Sequence, residues 1–279
     1  MEVAGIIKLS QRFKYAPSGD NWLFQQTRKI LLMLALPVLV IGVWEVLSHL
    51  GMIRSTILPA PSVIGRTFLE AILSGEILRH IGISLLRVIQ GYTIGASLGV
   101  VLGILTGLYR RMEIAGTLIV GILRPIPMMA WVPVLILWMG IDESSKVTLI
   151  AIASFWAVLL NVMHGIKHTE KKYLEVAEIL EKSKITLLTK VILPSALPSI
   201  FTGLRVGIDM AWRSVVGAEL IAASSGIGYM IMYARELSQT DVMLAGVLTI
   251  GLTGLLIDYI LRKLQAHFLK WHETSAVKS

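Results

Sequence analysis

Side chains that bind metals or act as nucleophiles are few in this sequence and are not spaced for such chemistry. The 279 residues include no cysteine, which excludes disulfides, thiolate metal ligands and cysteine nucleophiles. His164 and His168 stand four residues apart, but the glutamate of an H-E-x-x-H zinc motif is missing. The phosphate-binding pattern G-x-x-x-x-G-K-[ST] is also missing. We therefore expect no catalytic residue, metal site or ATP site in this chain.

Four charged residues of one apolar segment are predicted to share a helix face. At 100° per residue, Arg205, Asp209, Arg213 and Glu219 fall within an arc of about 120°. Both arginines before Glu219 stand four residues from Asp209, a spacing at which opposite charges pair. A charge at the bilayer centre costs at least about 2.5–3.5 kcal/mol, so this face should meet protein or water. A salt-bridge ladder that fixes the helix and an ionic face beside an anion's path both remain open.

A second apolar segment is interrupted by prolines. It contains Arg124, Pro125 and Pro127, followed by Trp131 and Pro133. Each proline lacks an N–H donor and disfavours helix at the preceding residue, so we predict a break near 124–127. In lipid, a broken helix is tolerated only where its backbone is buried in protein or lines a water-filled cavity. We therefore interpret the residues from Arg124 to Trp131 as candidates for a translocation pathway.

The composition indicates an integral membrane protein rather than a soluble enzyme. Hydrophobic residues make up 55% of the chain and charged residues 16%, too few charges for the surface of a soluble domain. Several apolar runs approach the roughly 20 residues that cross a bilayer core. We predict an all-α protein with six transmembrane helices, at about 30–50, 84–108, 114–139, 147–166, 198–222 and 242–261.

The positions of Lys and Arg predict the orientation of these spans. Of the 26 basic residues, 17 lie in the N-terminal tail, the 110–113 turn, the 164–197 loop and the C-terminal end, and 5 lie in the alternate segments. Both termini are therefore predicted to be cytoplasmic. The net charge of +8 is explained in this way without a nucleic-acid partner. The predicted organisation is a tail at 1–29, a transmembrane domain at 30–262 and a tail at 263–279.

Five glycines at a strict four-residue interval form one ridge of the second span. Such a ridge lets a neighbouring backbone approach closely, and it also permits helices to slide. We predict a close helix–helix contact at Gly91, Gly95, Gly99, Gly103 and Gly107.

Residues 51–83 are too polar to span and are predicted to lie outside. We expect Ser62 to cap a short amphipathic helix that lies along the outer surface of the bundle.

The cytoplasmic loop at 164–197 is predicted to hold two short helices with an exposed apolar face. Thr169 is placed to cap the first helix and Ser183 the second, and Leu193-Pro194 is expected to end the second before the fifth span. An exposed apolar patch between spans calls for a protein partner.

This loop resembles the EAA loop of bacterial binding-protein-dependent ABC importer permeases. The matching residues are Glu175, Ala177, Leu180, Val191, Leu193 and Pro194. From about Leu58 to Trp271 further strings are similar to the nitrate, sulfonate and taurine permease subgroup. They are Pro59-Ala60-Pro61-Ser62, Ser84-Leu85-Leu86-Arg87-Val88, Arg124-Pro125-Ile126-Pro127, Ala130-Trp131-Val132-Pro133, Gly217-Ala218-Glu219-Leu220 and Gly226-Ile227-Gly228-Tyr229.

The resemblance implies a non-catalytic permease of the bacterial inner membrane that imports a small anionic solute such as a sulfonate, taurine or nitrate. Its partners would be a second copy of itself, two cytoplasmic ATPase subunits that bind ATP and Mg²⁺, an external solute-binding protein, and membrane lipid. The loop would couple the permease to the ATPase through Glu175, Ala177, Leu180, Glu181, Ser183, Leu193 and Pro194. Import of a thiamine-precursor-like heterocycle, an ion-gradient-driven secondary transporter, a membrane enzyme and a non-transporting scaffold are the alternatives.

One position departs from the family pattern, because Glu181 stands where the family has glycine. Glycine supplies a sharp turn with positive φ. We expect Glu181 to turn in an ordinary conformation, or the two short helices to run closer to continuous.

Overall fold

The structure is a computed structural model and describes residues 20–269, which form eleven α-helices. In chain order they are α1 Asp20–His49, α2 Pro61–Leu73, α3 Glu76–Leu108, α4 Arg110–Leu123, α5 Met128–Met139, α6 Glu143–Lys167, α7 Lys171–Ile179, α8 Lys184–Leu187, α9 Leu193–Ala222, α10 Ile227–Glu236 and α11 Thr240–Phe268. A π-helical turn at Leu188–Ile192 joins α8 to α9.

Within residues 20–269, five helical stretches are long and apolar enough to cross a membrane, which confirms the all-α membrane class. They are Leu31–His49, Glu76–Leu108, Glu143–Lys167, Lys184–Ile221 and Thr240–Phe268. The α4–α5 pair meets the same criteria together, but the two helices are bent by 96°. The number of candidate spans is therefore five, or six if the pair is one span.

The described residues divide into two compact units, one that ends at Val63 and one that begins at Ile64. In the first, the Glu45 carboxylate accepts hydrogen bonds from the Ser62 backbone N–H at 3.0 Å and from its hydroxyl at 2.6 Å. Ser62 was predicted to cap α2 but does not occupy the cap position, because α2 already begins at Pro61. The free N–H groups of a helix start favour an anion, so the carboxylate of Glu45 takes the capping role.

In the second unit, α3 and α6 run parallel along the glycine ridge. A Cβ atom added at Gly91 would lie 2.6 Å from the Ile150 side chain, and one at Gly107 would lie 2.9 Å from Ile166. The glycines between them meet α6 in the same register, Gly95 at Ala151 and Ser154, Gly99 at Val158 and Gly103 at Val162. Because the two helices run in the same direction, α4 and α5 carry the chain back from the end of α3 to the start of α6.

The long helix α9 packs antiparallel to α6. Gly165 of α6 contacts Ser199, whereas Gly207 of α9 contacts Val158. The apolar core of this unit lies among α3, α6 and α9, with the start of α10 added at one end. One cluster holds Val88, Ile150, Ala211, Trp212, Val215 and Ile227, and another holds Ala96, Val158, Val162, Ile166 and Ala196.

Several of the predicted spans are shorter than the helices that contain them. α3 begins at Glu76 rather than at residue 84, and α6 begins at Glu143 rather than at 147. Both first turns carry charged residues, which hydropathy excludes from a span; of these, Glu143 of α6 finds its partner, Arg87, on α3. Residues 20–29 of the predicted N-terminal tail belong to α1, and α11 continues to Phe268. The rest of the two predicted tails, 1–19 and 270–279, lies outside the described residues.

Candidate functional site

The four charged residues predicted to share one face of α9 lie in two environments. Arg213 and Asp209 form an ion pair at 3.0 Å, with side chains 71% and 49% exposed. Arg205 does not pair with Asp209; its Nη2 lies 2.7 Å from Oδ1 of Asp258 on α11. Glu219 is fully buried. The predicted ladder is therefore wrong in part, because Arg205 finds a carboxylate on a neighbouring helix and Glu219 is enclosed by α3 and α10.

The exposed charges line an open groove between α9 and α11. Its lining includes Thr202, Arg205, Asp209, Arg213, Asp258 and Gln265. Two arginines and two carboxylates of this lining balance in charge. Arg262, which is not part of the lining, also pairs with Asp258 at 2.7 Å and adds one positive charge beside the groove.

Arg87 of α3 is the centre of a buried network that the sequence analysis did not single out. Its side chain is 4% exposed. Nε and Nη2 donate to the two carboxylate oxygens of Glu143 at 2.6 and 2.7 Å, and Nη1 donates to Glu219 at 2.7 Å. Nη1 and Nη2 also donate to the carbonyl and hydroxyl oxygens of Ser225, at 2.7 and 3.1 Å. All five donors of the guanidinium group are used, and lysine, with three donors, does not reproduce this arrangement.

The start of α10 sits in a socket made by side chains of α3 and α9. Three backbone N–H groups donate there, Gly226 to His80 Nδ1 at 3.1 Å, Ile227 to Ser84 Oγ at 3.0 Å and Gly228 to Glu219 Oε2 at 2.9 Å. Gly226 has φ +108°, and a Cβ atom there would overlap the Glu219 carboxylate. Glycine is required at this position both for the backbone conformation and for the space.

The sequence contained a signal for this network, although not its partners. Arg87 lies in an apolar run with no acidic residue three or four positions away, so its counter-charge had to come from another helix. The periodicity of one helix does not identify a carboxylate on another, and Glu143 and Glu219 were not connected with Arg87 for that reason.

The predicted break at 124–127 is confirmed by the 96° bend between α4 and α5. Pro127 has extended backbone angles, φ −57° and ψ 137°, which end the helical path before α5. Arg124 and Pro125 are exposed at the bend. Within residues 20–269, Arg124 makes no ion pair, so its charge remains available to solvent or to a ligand.

The limbs of the bent pair differ in how they are held. α5 is anchored, because Val132 and Leu135 are buried with Leu149 of α6 and Ala218 of α9. Trp131 packs against this cluster, and its indole nitrogen is buried without a hydrogen-bond partner. α4 buries no residue.

Of the two helix caps predicted in the 164–197 loop, one is present in the structure and the other is not. Ser183 accepts a hydrogen bond from the Thr186 backbone N–H at 3.2 Å, which confirms it as a cap. Thr169 does not cap α7; its hydroxyl donates back to the Ile166 carbonyl at 2.9 Å, and Glu170 occupies the cap position. The hydroxyl of Thr169 is satisfied by the last turn of α6 and does not reach the start of α7.

Glu181 adopts the left-handed conformation of the glycine that it replaces, with φ +48°. The Lys182 N–H donates to the Ala177 carbonyl at 3.1 Å and the Glu181 N–H donates to Glu178 at 2.9 Å. This pattern ends α7 in a Schellman motif, which demands a left-handed residue. The expectation of an ordinary conformation at Glu181 is therefore wrong.

Leu193 and Pro194 do not end the second short helix. The helix continues from α8 through the π-helical turn into α9, and the stretch Lys184–Ile221 is uninterrupted. A proline removes a backbone donor and crowds the carbonyl of the preceding turn. The wider π-helical turn directly before Leu193 accommodates this change, so the expected stop is wrong.

The apolar side chains of α7 and α8 are mostly uncovered. Ile179 and Ile185 are 79% and 75% exposed, and Tyr173, Val176 and Leu180 are also exposed. Ala177 is buried, and Glu175 is exposed beside it. α7 therefore presents a mixed surface of two carboxylates, Glu175 and Glu178, and several large apolar side chains.

No cluster of three or more His, Cys, Asp or Glu side chains suited to a metal ion occurs in residues 20–269. His164 and His168 stack with ring centroids 3.8 Å apart. The string from Gly95 to Gly99, with Ser97 at its centre, spells the Gly-x-Ser-x-Gly elbow of hydrolases. It lies in the middle of α3 rather than at a strand-to-helix turn, so it lacks the context for that chemistry.

Known proteins are similar in sequence to this chain over most of its length. Residues 99–270 match the family model "Binding-protein-dependent transport system inner membrane component". The chain is 43% identical to the putative aliphatic sulfonates transport permease protein SsuC of Bacillus subtilis, over 86% of this chain and 87% of that protein. It is 32% identical to the taurine transport system permease protein TauC of Escherichia coli, over 90% and 94% of the two chains.

The fold is also similar to that of a solved transporter. A chain of the MetNI methionine ABC transporter, crystallised in inward-facing conformations, superposes with a TM-score of 0.59 at 17% identity, covering 68% of this chain and 94% of that one. With the family match, the long sequence relatives and the apolar helices, this places the chain among multi-pass inner-membrane proteins. It belongs to the binding-protein-dependent transport system inner membrane components and is the permease subunit of an ABC importer.

Proposed function

We propose that this permease carries a small anionic solute of the sulfonate or taurine class, delivered by an external binding protein and moved by a separate ATPase. Relatives named for aliphatic sulfonates and for taurine support the solute class. The two arginines that line the α9–α11 groove offer N–H donors to a negatively charged cargo, and Arg262 adds a positive charge beside it.

The observation that carries the ATP-driven mechanism is the uncovered surface of α7. Ile179, Leu180 and Val176 expose apolar area beside Glu175 at the end of the bundle where α3 and α6 terminate. Exposed apolar patches on a helix mark a contact with another protein. We assign α7 as the coupling helix, and the exposed carboxylate of Glu175 adds charge to the contact with the ATPase.

The groove along α9 is proposed as part of the pathway. Asp209 and Arg213 lie near the middle of the 30-residue helix, and both are substantially exposed. In lipid these charges would cost several kcal/mol, so they require water or protein beside them. A second copy of the chain facing this groove would enclose it, which supports a homodimer with Arg205 and Arg213 beside the solute and Arg124 near the bend.

The register of the helices supports a six-span arrangement. α3 and α6 run in the same direction, so α4 and α5 together act as one crossing despite their bend. With the basic residues of 164–197 inside, both termini are cytoplasmic, and α2 and α10 lie at the outer end. Residues 30–262 then form the permease domain between two cytoplasmic tails. Two ATPase subunits, which hold ATP and Mg²⁺, meet the two copies of α7.

Reconstitution in liposomes tests the function directly. The permease, its ATPase and its binding protein, all present, should take up taurine or an alkane sulfonate only when ATP is supplied. Uptake by the permease alone, driven by an ion gradient, would identify a secondary transporter instead. If the binding protein retains a thiamine-precursor-like heterocycle and no sulfonate, the proposed solute class is wrong, whereas the ATP-driven mechanism still stands.

The coupling surface is tested at exposed positions. Glu175→Lys combined with Ile179→Lys should abolish ATP-driven uptake and co-purification of the ATPase while membrane insertion stays normal. Ala177 is unsuitable for this purpose because it is buried, and a large side chain there would disturb α7 itself. Leu73→Lys, at a highly exposed apolar residue of α2, is the matched control and should leave coupling intact. Uptake that survives the α7 changes would rule out α7 as the coupling element.

A further inference from the structure

The bent α4–α5 pair has one limb that is anchored by buried side chains and one limb that is not. α5 is fixed by Val132 and Leu135, which are buried between α6 and α9. α4 has no buried residue along its 14 positions. The bend at 124–127 carries the chain between the two limbs, so the direction of α4 must be set at its other end.

The chain connection at that other end fixes the place of α4 but not its direction. A single residue, Tyr109, separates α3 from α4, and its backbone is extended, with φ −109° and ψ 108°. Such a connection holds the first residue of α4 beside the end of α3. Rotation about one non-helical residue still lets a helix change its direction.

An ion pair in the first turn of α4 supplies the missing constraint. The Glu113 carboxylate contacts Nζ of Lys167, the last residue of α6, through Oε1. Its second oxygen, Oε2, lies 3.0 Å from Nη1 of Arg110, on α4 itself. The side chains of Lys167 and Glu113 are only 30% and 23% exposed, so this contact is less screened by water than a fully exposed pair.

The position of Lys167 gives the pair a mechanical role. Lys171, the first residue of α7, lies four positions after it, across a short turn. A displacement of α7 therefore acts on the end of α6 through this turn. From there it reaches α4 either directly, through the Glu113–Lys167 contact, or indirectly, through the packing of α6 on α3 and the Tyr109 connection.

We propose that Glu113 and Lys167 are positioning residues that transmit displacement of α7 to the bent α4–α5 pair. With the pair closed, α4 follows the α6–α7 corner and turns about the bend at 124–127. With the pair open, the Tyr109 connection absorbs the movement and the bend does not change. This inference rests on the proposed role of α7 as the coupling helix.

The transport test uses Lys167→Gln and a matched control, Arg110→Gln. Both remove one cation from Glu113, but only the first breaks a contact between helices. In the complete liposome system, Lys167→Gln should lower solute uptake per ATP hydrolysed by about fivefold, the low end of usual coupling effects. ATPase co-purification should stay normal, and Arg110→Gln should behave as the parent protein. Equal effects of the two variants would overturn the proposal.

A rescue experiment exploits the absence of native cysteine. In the variant Lys167→Cys with Glu113→Cys, joining the two thiols with a short bifunctional maleimide, which bridges the length of the lost side chains, should restore uptake per ATP; without the reagent the variant should stay uncoupled. A cross-linked variant that regains no uptake per ATP would show that the tie does not transmit the movement.

A distance measurement keeps the inference separate from the proposed function. Nitroxide labels at Leu118 of α4 and Ser144 of α6, both exposed, report the direction of α4 without any transport. Lys167→Gln should broaden their distance distribution, and Arg110→Gln should not. An unchanged distance distribution would contradict the positioning role of Glu113 and Lys167. A parent complex that transports no solute with ATP would instead contradict the proposed function.

Discussion

The two ends of the bundle are built in opposite ways. At the end where α3 and α6 begin, the buried guanidinium of Arg87 uses all its donors, and the start of α10 is seated by hydrogen bonds to side chains of α3 and α9. At the other end, α7 and α8 expose large apolar side chains, such as Ile179 and Ile185.

The difference separates a part that is complete in one chain from a part that is not. A buried charge network is tolerated only when each member is satisfied, and the Arg87 network meets that condition within the chain. Uncovered apolar helices at the α7 end gain stability when a partner covers them. If α7 is the coupling helix, as proposed, the Arg87 end is the fixed frame against which it moves.

The largest expected effect is at the fixed end. Arg87→Met removes the counter-charge of the buried Glu219 and should lower the free energy of unfolding by about 3–5 kcal/mol. Arg213→Met, which breaks an exposed pair, should cost less than about 1 kcal/mol. Denaturant titrations of both variants in detergent, followed by circular dichroism, measure the difference. Similar losses for the two variants would remove the contrast between a buried network and an exposed one.

The helix contact that joins the two ends gives an intermediate effect. Gly95→Val places a side chain against the backbone of α6 at Ala151 and should destabilise the protein by about 1–3 kcal/mol. Gly116→Ala on α4 meets no atom within 4 Å and should stabilise its helix by about 0.5–1 kcal/mol. The same titrations test both. A harmless Gly95→Val would mean that α3 and α6 separate readily and that the fixed frame ends at Arg87.

How much of this was accessible from the sequence depends on whether one helix or several define the feature. The break at 124–127 and the Ser183 cap follow from local residue chemistry, and both were predicted. The spacing of the glycines predicted a close-packing face on α3, but it did not identify α6 as the helix that packs there. The partners of Arg87 and Arg205 lie on other helices, at Glu143, Glu219 and Asp258, and no periodicity within one segment identifies them.

The left-handed Glu181 was missed for a related reason. A helix that ends in a Schellman motif imposes positive φ on the residue at that position whatever its type, and the family glycine was the only local signal for it. Replacement by glutamate pointed to a changed backbone. In the structure Glu181 nevertheless adopts the left-handed backbone conformation, at the cost of crowding between its Cβ atom and the backbone.

The smallest predicted effect tests whether that strain matters at the α7 end. Glu181→Gly removes a left-handed penalty of about 1–2 kcal/mol, but glycine gains entropy in the unfolded chain, so the net stabilisation should stay below about 1 kcal/mol. Because α7 keeps the same end, ATPase co-purification should be unchanged or stronger. Ser238→Gly is the matched control, since Ser238 has φ +58° in the same hydrogen-bond pattern at the end of α10. It should give a similar gain in stability and leave ATPase binding unaltered. Weaker co-purification after Glu181→Gly alone would mean that the glutamate side chain itself contacts the ATPase, and that the α7 surface extends past its last turn.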